Sequence, residues 1–373
     1  MATGKDLSGD IERLRLGRVG DAIAGHDAWI VGGVARALVA GTDPDTDVDI
    51  AVDADLEPIL ERLGLPAKRH DRFETAVIDL GDGRHADIAR TRTETYAAPG
   101  ALPDVAPAGI GEDLARRDFT INAIAIAIAP PHRTLDPFDG ATDLAAGTLR
   151  VLHPGSFADD PTRAIRAARY CARLGLDPEP ETRRLLAAAD LGLVSEDRRS
   201  AELRRLAAEH EAAAGFGLLS EWGVRALPTG ALELLRAVTE TRMDPLWSGD
   251  VDAGVRGTLI AAGSGPERER ALELATTRPT RPSQAVALAA GLDPAILLVA
   301  MAAGGSWVRR YMCEWAGVRL EIGGEDLLAA GIERGPAIGA GLDGALQRKL
   351  DGDLDDGREA ELAAAVAIAR RAG

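Results

Sequence analysis

Val31-Gly32-Gly33-Val34-Ala35-Arg36, followed by Thr46-Asp47-Val48-Asp49-Ile50-Ala51-Val52, is the stretch on which the fold turns. The first segment closes an apolar run, Ala28 to Val34, that reads as a strand entering a turn. The Gly-Gly pair lets backbone N–H groups approach a ligand closely. A helix starting there adds the positive end of its dipole, so phosphate is a natural guest. The second segment alternates and reads as a strand, with Asp47 and Asp49 on one face. Two such carboxylates repel, a cost that divalent cations between them relieve. Each feature alone also has a plain reading: a structural turn, and a solvated pair on a half-exposed strand. A third carboxylate, Asp87, lies in His85-Ala86-Asp87-Ile88-Ala89-Arg90. If that strand neighbours the first, three carboxylates converge, as two-metal phosphoryl transfer requires.

Working outward, residues 1–150 mix short strand-like runs with turns. Thr75 to Leu80 and His85 to Arg90 read as strands joined by Gly81-Asp82-Gly83, a hairpin signal. Ile121 to Ala129 is another apolar run, ended by Pro130-Pro131. From Asp160 the pattern turns helical. Ile165, Ala168, Cys171, Ala172 and Leu174 fall at helical spacing, opposite Arg163, Arg166 and Arg173. Further helices are expected near 181–189, 200–214, 232–241, 267–276, 282–290 and 296–303. The expected fold is an α/β head, a mixed β-sheet with helices, followed by an all-α body and tail. We divide it into a head (1–150), a helical neck (151–215) and a helical body and tail (216–373).

The chain has 373 residues, enough for more than one packed unit, and 46% are hydrophobic. Aromatics make up 3%, so aliphatic side chains carry the packing. A net charge of −16 argues against a generalised nucleic-acid binder, but the arginines are clustered. Cys171 and Cys313 form no disulfide framework or metal spacing and read as buried small hydrophobes. His26-Asp27 and His70-Asp71 read as chance pairs, with no histidine cluster near them. Without a signal-like segment or an apolar run of membrane length, a soluble cytoplasmic protein is expected.

Several motifs then occur in a fixed order. Gly32-Gly33-x-x-Arg36 and Asp47-x-Asp49 resemble the head of the class II tRNA nucleotidyltransferase and bacterial poly(A) polymerase family. Arg116-Arg117-Asp118-Phe119-Thr120-Ile121-Asn122-Ala123 resembles its second motif almost letter for letter. Asp136-Pro137-Phe138-Asp139-Gly140 through Leu149-Arg150 resembles its hinge motif. The run from Asp159-Asp160 to Tyr170 resembles its nucleobase-reading motif, and Ser195-Glu196-Asp197-Arg198 with Glu202-Leu203 the one after it. Gly324-Glu325-Asp326-Leu327 and Gly335-Pro336-Ala337-Ile338-Gly339 resemble the tail of the CCA-adding members.

The resemblance implies that Asp47 and Asp49 bind Mg2+; Asp87, read from its own strand, is expected beside them as a third catalytic carboxylate. It implies that Gly32, Gly33 and Arg36 hold the triphosphate, that Asp118 contacts the ribose 2′-OH and that Asn122 supports it. Arg117, Arg166 and Arg169 would reach phosphates or orient neighbours; by composition alone, Arg163, Arg166, Arg169 and Arg173 could be a solvated face. Asp160 and Arg163 would read the base. Cytosine and adenine both present an amine beside a ring-nitrogen acceptor, which suits a carboxylate and a guanidinium. Uracil and guanine reverse both polarities, so each mismatch strands buried polar groups at about 1–3 kcal/mol apiece.

Three positions depart from the pattern: Ala37 where the family has Asp, Asp159 where it has Glu, and Glu74 where it has Gly after the Arg72-Phe73 stretch. The expected activity is addition of C, C and A to the tRNA 3′ end from CTP and ATP. The expected partner is the tRNA acceptor arm, met by arginines such as Arg198, Arg199, Arg204 and Arg205. The alternatives are CC-, A- or poly(A)-adding enzymes, or a decayed tRNA-binding protein. The acidic segment Asp351 to Asp356 weighs against the basic extension of poly(A) polymerases. Thr91 to Tyr96 and Gly100 to Pro103, between the first and second motifs, favour the complete reaction over CC addition.

Overall fold

The computed structural model describes residues 7–44, 47–70, 73–81 and 83–372. Thr46, Asp71, Arg72 and Asp82 carry parts of the strand, His-Asp, Arg-Phe and hairpin readings, and lie outside the described residues. The chain packs as two compact units, Met1–Ala226 and Leu227–Gly373. The borders at 150 and 215 both fall inside the first unit.

The first unit is built on a mixed sheet of β1 (Ala28–Val31), β2 (Val48–Val52), β3 (Ala67–His70), β4 (Thr75–Gly81), β5 (Arg84–Arg90), β8 (Ala125–Ala127) and β9 (Thr134–Leu135). The strand order is β3-β4-β5-β2-β1-β8-β9. The short strands β6 (Arg92–Thr95) and β7 (Asp104–Pro107) pair separately. Alternation decides which face is which. Val48, Ile50 and Val52 of β2 and Ala86 and Ile88 of β5 point to one core, under the helices Gly32–Ala40 and Leu56–Leu63. Burying each such branched side chain contributes about 1.5–3 kcal/mol. The residues between them, Asp49 and Asp87, must face the other way. Within this sheet β2 and β5 pair in parallel, and their register sets Asp49 directly beside Asp87.

The apolar run expected from Ile121 to Ala129 divides into a 3-10 turn, Thr120–Asn122, and β8. Residues 121–126 are all buried, and periodicity cannot separate strand from turn in such a run. Helices Ser156–Asp159, Arg163–Leu174, Pro180–Leu186, Glu196–Ala208 and Ala212–Glu221 complete the unit. The helix expected at 200–214 is thus two helices, broken at Glu209-His210-Glu211. Ser195 caps the first of them by accepting from the Arg198 N–H, so that helix begins earlier than its apolar pattern suggests.

The second unit is helical. Ala231–Thr241, Val251–Ala262, Pro266–Thr276 and Pro294–Ala302 pack together, and Pro336–Leu350 and Arg358–Ala372 form a closing hairpin. Gly341 lets that hairpin cross closely, since a Cβ there would meet the Ala365 carbonyl oxygen at 2.7 Å. Cys171 is buried and its thiol is pushed up to about 12 by burial, but Cys313 is exposed, against the sequence expectation. Cys313 lies in the wide helical turn Tyr311–Trp315, which carries no fully buried residue. Among the described residues, no helix is long and apolar enough to cross a membrane.

Candidate active site

The site opens on the face of the sheet away from the main core, between the strands and the helix Arg163–Leu174. A cavity of about 750 Å³ lies there. Gly32, Gly33, Arg36, Asp49, Asp87, Arg117, Asp118, Asn122, Asp160, Arg163, Arg166 and Arg169 all line it. Asp47 does not. It stands exposed at the start of β2, where its Oδ1 accepts from the His85 backbone N–H (3.2 Å) and lies 3.5 Å from His85 Nδ1.

The glycine turn and the carboxylate pair are fitted to each other. Gly32 takes φ +65°, and a Cβ on it would approach Asp49 Oδ2 to 2.5 Å. The Gly33 N–H donates to the Asp49 carboxylate. That carboxylate is exposed to the cavity yet packed against protein behind. Desolvation first, then the charges of Asp87 and Asp47, push it above the ordinary carboxylate range against the pull of Arg117. Asp87 is raised for the same leading reason, with Asp47 adding to it. No group of three His, Cys, Asp or Glu side chains among the described residues forms a closed metal cage. Crowded carboxylates open to a cavity fit an Mg2+ site completed by water and phosphate, since that ion takes one or two carboxylates and keeps its other positions for such ligands.

A buried polar chain crosses the floor. Arg36 donates to Asn122 Oδ1, and Asn122 Nδ2 donates to Asp118 Oδ1 at 2.9 Å. Asp118 Oδ2 receives Arg166 Nε at 2.8 Å. Burial alone would raise Asp118, but Arg166, the Asn122 amide and Arg163 more than offset it and hold the carboxyl low. Arg166 is correspondingly raised by Asp118 despite its burial. The ring of Tyr170 sits among four guanidiniums, with Arg36, Arg166, Arg169 and Arg173 between 5.2 and 5.6 Å from its centroid. The solvated-face alternative for Arg163, Arg166, Arg169 and Arg173 therefore fails: all four line the cavity, and the last three lie over Tyr170. The buried Nε atoms of Arg117 and Arg169 have no hydrogen-bond partner among the described residues, although Arg169 Nε lies 3.9 Å from Glu209 Oε1.

Arg163 is fixed from both sides, donating to Ser156 Oγ and to the Arg116 carbonyl oxygen, each at 2.8 Å. Asp160 Oδ1 accepts from the Thr162 N–H (3.0 Å) and Thr162 Oγ1 (2.7 Å), and lies 3.0 Å from Arg198 Nη2. Asp160 and Arg163 are brought to one wall, where the Arg163 backbone N–H donates to the Asp160 carbonyl oxygen at 3.0 Å. Arg198, expected on an RNA-facing surface, is turned inward instead.

Sequence reasoning missed an acidic anchor. Asp113, 1% exposed, takes Arg116 on Oδ1 (2.7 Å) and Arg117 on Oδ2 (2.9 Å), and Glu94 takes Arg116 (2.8 Å) and the Tyr96 hydroxyl (2.9 Å). The i, i+3 and i, i+4 spacing of Asp113 to these arginines was the available signal. The departures also find their places. Ala37 faces a second cavity of about 640 Å³, and Arg36 is braced by Asn122 instead of by residue 37. Asp159 reaches to 3.7 Å from His153, whose pKa is lowered by burial and by Arg163. Glu74 takes φ +45°, a conformation that explains why glycine suits the position.

Residues 28–150 match a family model described as the poly A polymerase head domain. An A-adding tRNA nucleotidyltransferase of Geobacter sulfurreducens is 32% identical over 95% of this chain, which spans only 46% of that protein. A CC-adding tRNA nucleotidyltransferase of Deinococcus radiodurans is 35% identical over 84% of this chain and 82% of its own length. Among solved structures, a Thermotoga maritima CCA-adding enzyme complexed with tRNA matches at TM-score 0.71 and 26% identity, over 98% of this chain and 99% of that one. The motif order, the site built from it and the extent of these matches agree: the chain belongs to the tRNA nucleotidyltransferase family.

Proposed function

We propose that this protein adds C, C and A to the 3′ end of tRNA, taking CTP and ATP without a template. The supporting observation is the shared wall: the Asp160 carboxylate and Arg163 guanidinium line the same cavity as Asp49, Asp87 and Asp118. In this reading residues 1–150 carry the chemistry, 151–215 read the base, and 216–373 hold the tRNA. Relatives that add A or CC, and a structural neighbour complexed with tRNA, support the substrates.

Asp47 and Asp49 would hold Mg2+, which supplies charge neutralisation at the triphosphate and acidifies the attacking 3′-hydroxyl. The protein's own groups do the rest. Arg36, Arg117 and Arg169, which line the cavity, receive the phosphates. Asp118, held ionised by Arg166, accepts from the ribose 2′-OH. Asp87 accepts the hydrogen bond, and then the proton, of the primer 3′-OH at its carboxylate. Asp160 accepts from the exocyclic amine of C or A, and Arg163 donates to the ring nitrogen.

The relatives that add only A or only CC favour a second reading, in which this chain performs part of the sequence. One assay separates the two. The protein is given tRNA ending before the tail, tRNA ending in CC and an unrelated RNA, with CTP, ATP or both. Complete tails on the first substrate are the expected result. Addition of only A, or only CC, establishes the second reading. Long A tracts on any RNA identify a poly(A) enzyme, and tRNA binding without incorporation overturns the enzymatic assignment.

A further inference from the structure

The segment 96–103, between β6 and β7, carries a tie that the chemistry above does not use. Gly100 is buried, takes φ +73°, and donates its N–H to the Ala158 carbonyl oxygen at 3.0 Å. A Cβ on it would meet the Leu193 carbonyl oxygen at 2.4 Å, so the backbone lies flat against the turn Leu191–Leu193. The Gly100 carbonyl oxygen receives Arg198 Nη1 at 2.8 Å. The other terminal nitrogen of Arg198 lies 3.0 Å from Asp160 Oδ1. One planar guanidinium therefore bridges the segment and the base-facing carboxylate.

The load on Asp160 is one-sided. Thr162 N–H, Thr162 Oγ1 and Arg198 all converge on Oδ1, and Oδ2 has no partner among the described residues. Three donors on one oxygen fix the carboxylate's rotation and leave the second oxygen to accept. A carboxylate held only by Thr162 could rotate and offer either oxygen to water or to a mismatched base. Arg suits this bridge because its fork is rigid and always charged.

We infer that Arg198 is a positioning residue for nucleobase choice: it orients Asp160 so that Oδ2 is presented to the base, and it does so only while Gly100 holds the segment 96–103 in place. This rests on the base-reading role of Asp160 proposed above. It predicts coupling, because Arg198 and Gly100 act on discrimination through one bridge.

The test compares CTP with UTP on tRNA ending before the tail, measuring kcat and KM for each, with equilibrium binding of both nucleotides by calorimetry. Arg198→Ala is expected to lower the CTP-over-UTP ratio of kcat/KM at least ten-fold and to weaken CTP binding while UTP binding holds. Arg198→Lys should restore part of the ratio. Gly100→Ala should produce the same kind of loss, and the double variant should be no worse than the more damaged single one. Wild-type discrimination in Arg198→Ala, or fully additive losses in the double variant, overturns the inference. Asp160→Ala separates the two levels. If it leaves nucleotide choice intact, base reading by Asp160 fails and the inference with it; if it abolishes choice while Arg198→Ala does not, the inference alone fails. Should Gly100→Ala not fold, the Arg198 pair still decides.

Discussion

Replacing Gly32 by alanine places a methyl group where the structure has room for none. At φ +65° the methyl would lie 2.5 Å from Asp49 Oδ2, close to 1 Å nearer than ordinary van der Waals contact allows. Two costs follow. The left-handed backbone costs a non-glycine residue about 1–2 kcal/mol. That is a modest part of the ~5–15 kcal/mol by which folded domains are stable, so the protein still folds. The second cost falls on function, because Asp49 must give way and carries the Gly33 hydrogen bond with it. A reacting group misplaced by ~1 Å costs on the order of 100-fold in rate. The Gly32→Ala protein is therefore expected to unfold only a few degrees below wild type and to incorporate CMP about 100-fold more slowly. Single-turnover incorporation and thermal unfolding measure the two effects. Gly20→Ala is the control: its Cβ would meet nothing closer than 3.5 Å, in a helix, and it should stabilise by ~0.5–1 kcal/mol with activity unchanged. Wild-type turnover in a folded Gly32→Ala protein would refute the claim that Asp49 is held to this tolerance.

Glu74→Gly relieves a left-handed glutamate at the cost of its 3.4 Å contact with Arg90, and should raise thermal stability by ~1 kcal/mol; an unchanged or lower midpoint counts against strain at that residue. Asp113 is held low because Arg117 and Arg116 outweigh its burial. Its stabilising contribution is present above the ordinary carboxylate pKa of ~3.9 and is lost as pH falls through the lowered folded value. Urea unfolding of Asp113→Asn should therefore lose less stability between pH 7 and pH 3 than wild type does, and equal losses would contradict the assignment. Chelation of divalent cations with EDTA should abolish incorporation while leaving the thermal midpoint in place, because among the described residues Asp47 and Asp49 contribute to no closed metal cage on which folding could depend. A collapse of the midpoint would show a structural metal instead.

The sheet and most of the cavity were legible because each signal was local. Alternation around Asp49 and around Asp87 gave both strands and their outward faces; their parallel pairing in register, which no short-range pattern encodes, was a condition the fold met. Helices at Ala231–Thr241 and Pro266–Thr276 followed from apolar spacing and their proline or glycine starts. What stayed hidden depends on distant pairing. Glu94 and Asp113 matter because Arg116 lies between them, and Arg198 reads as surface charge until Gly100 is brought beside it. The closing helices Pro336–Leu350 and Arg358–Ala372 were missed for another reason: alanine and glycine fill their buried stripe, so they bury a core without a strong apolar rhythm.

The links between the second motif and the helix Arg163–Leu174 have a consequence for how such enzymes can change over time. Asp118 is neutralised by Arg166, the Arg116 carbonyl is occupied by Arg163, and Phe119 meets the edge of Tyr170 with centroids 5.9 Å apart. A head cut at residue 150 would be left with a carboxylate deprived of its counter-ion and an uncovered aromatic ring. The residues proposed to recognise sugar and base are thus not modular. A substitution that retunes one is inherited by the other, and new nucleotide preferences have to arise by adjustments that leave this shared joint intact.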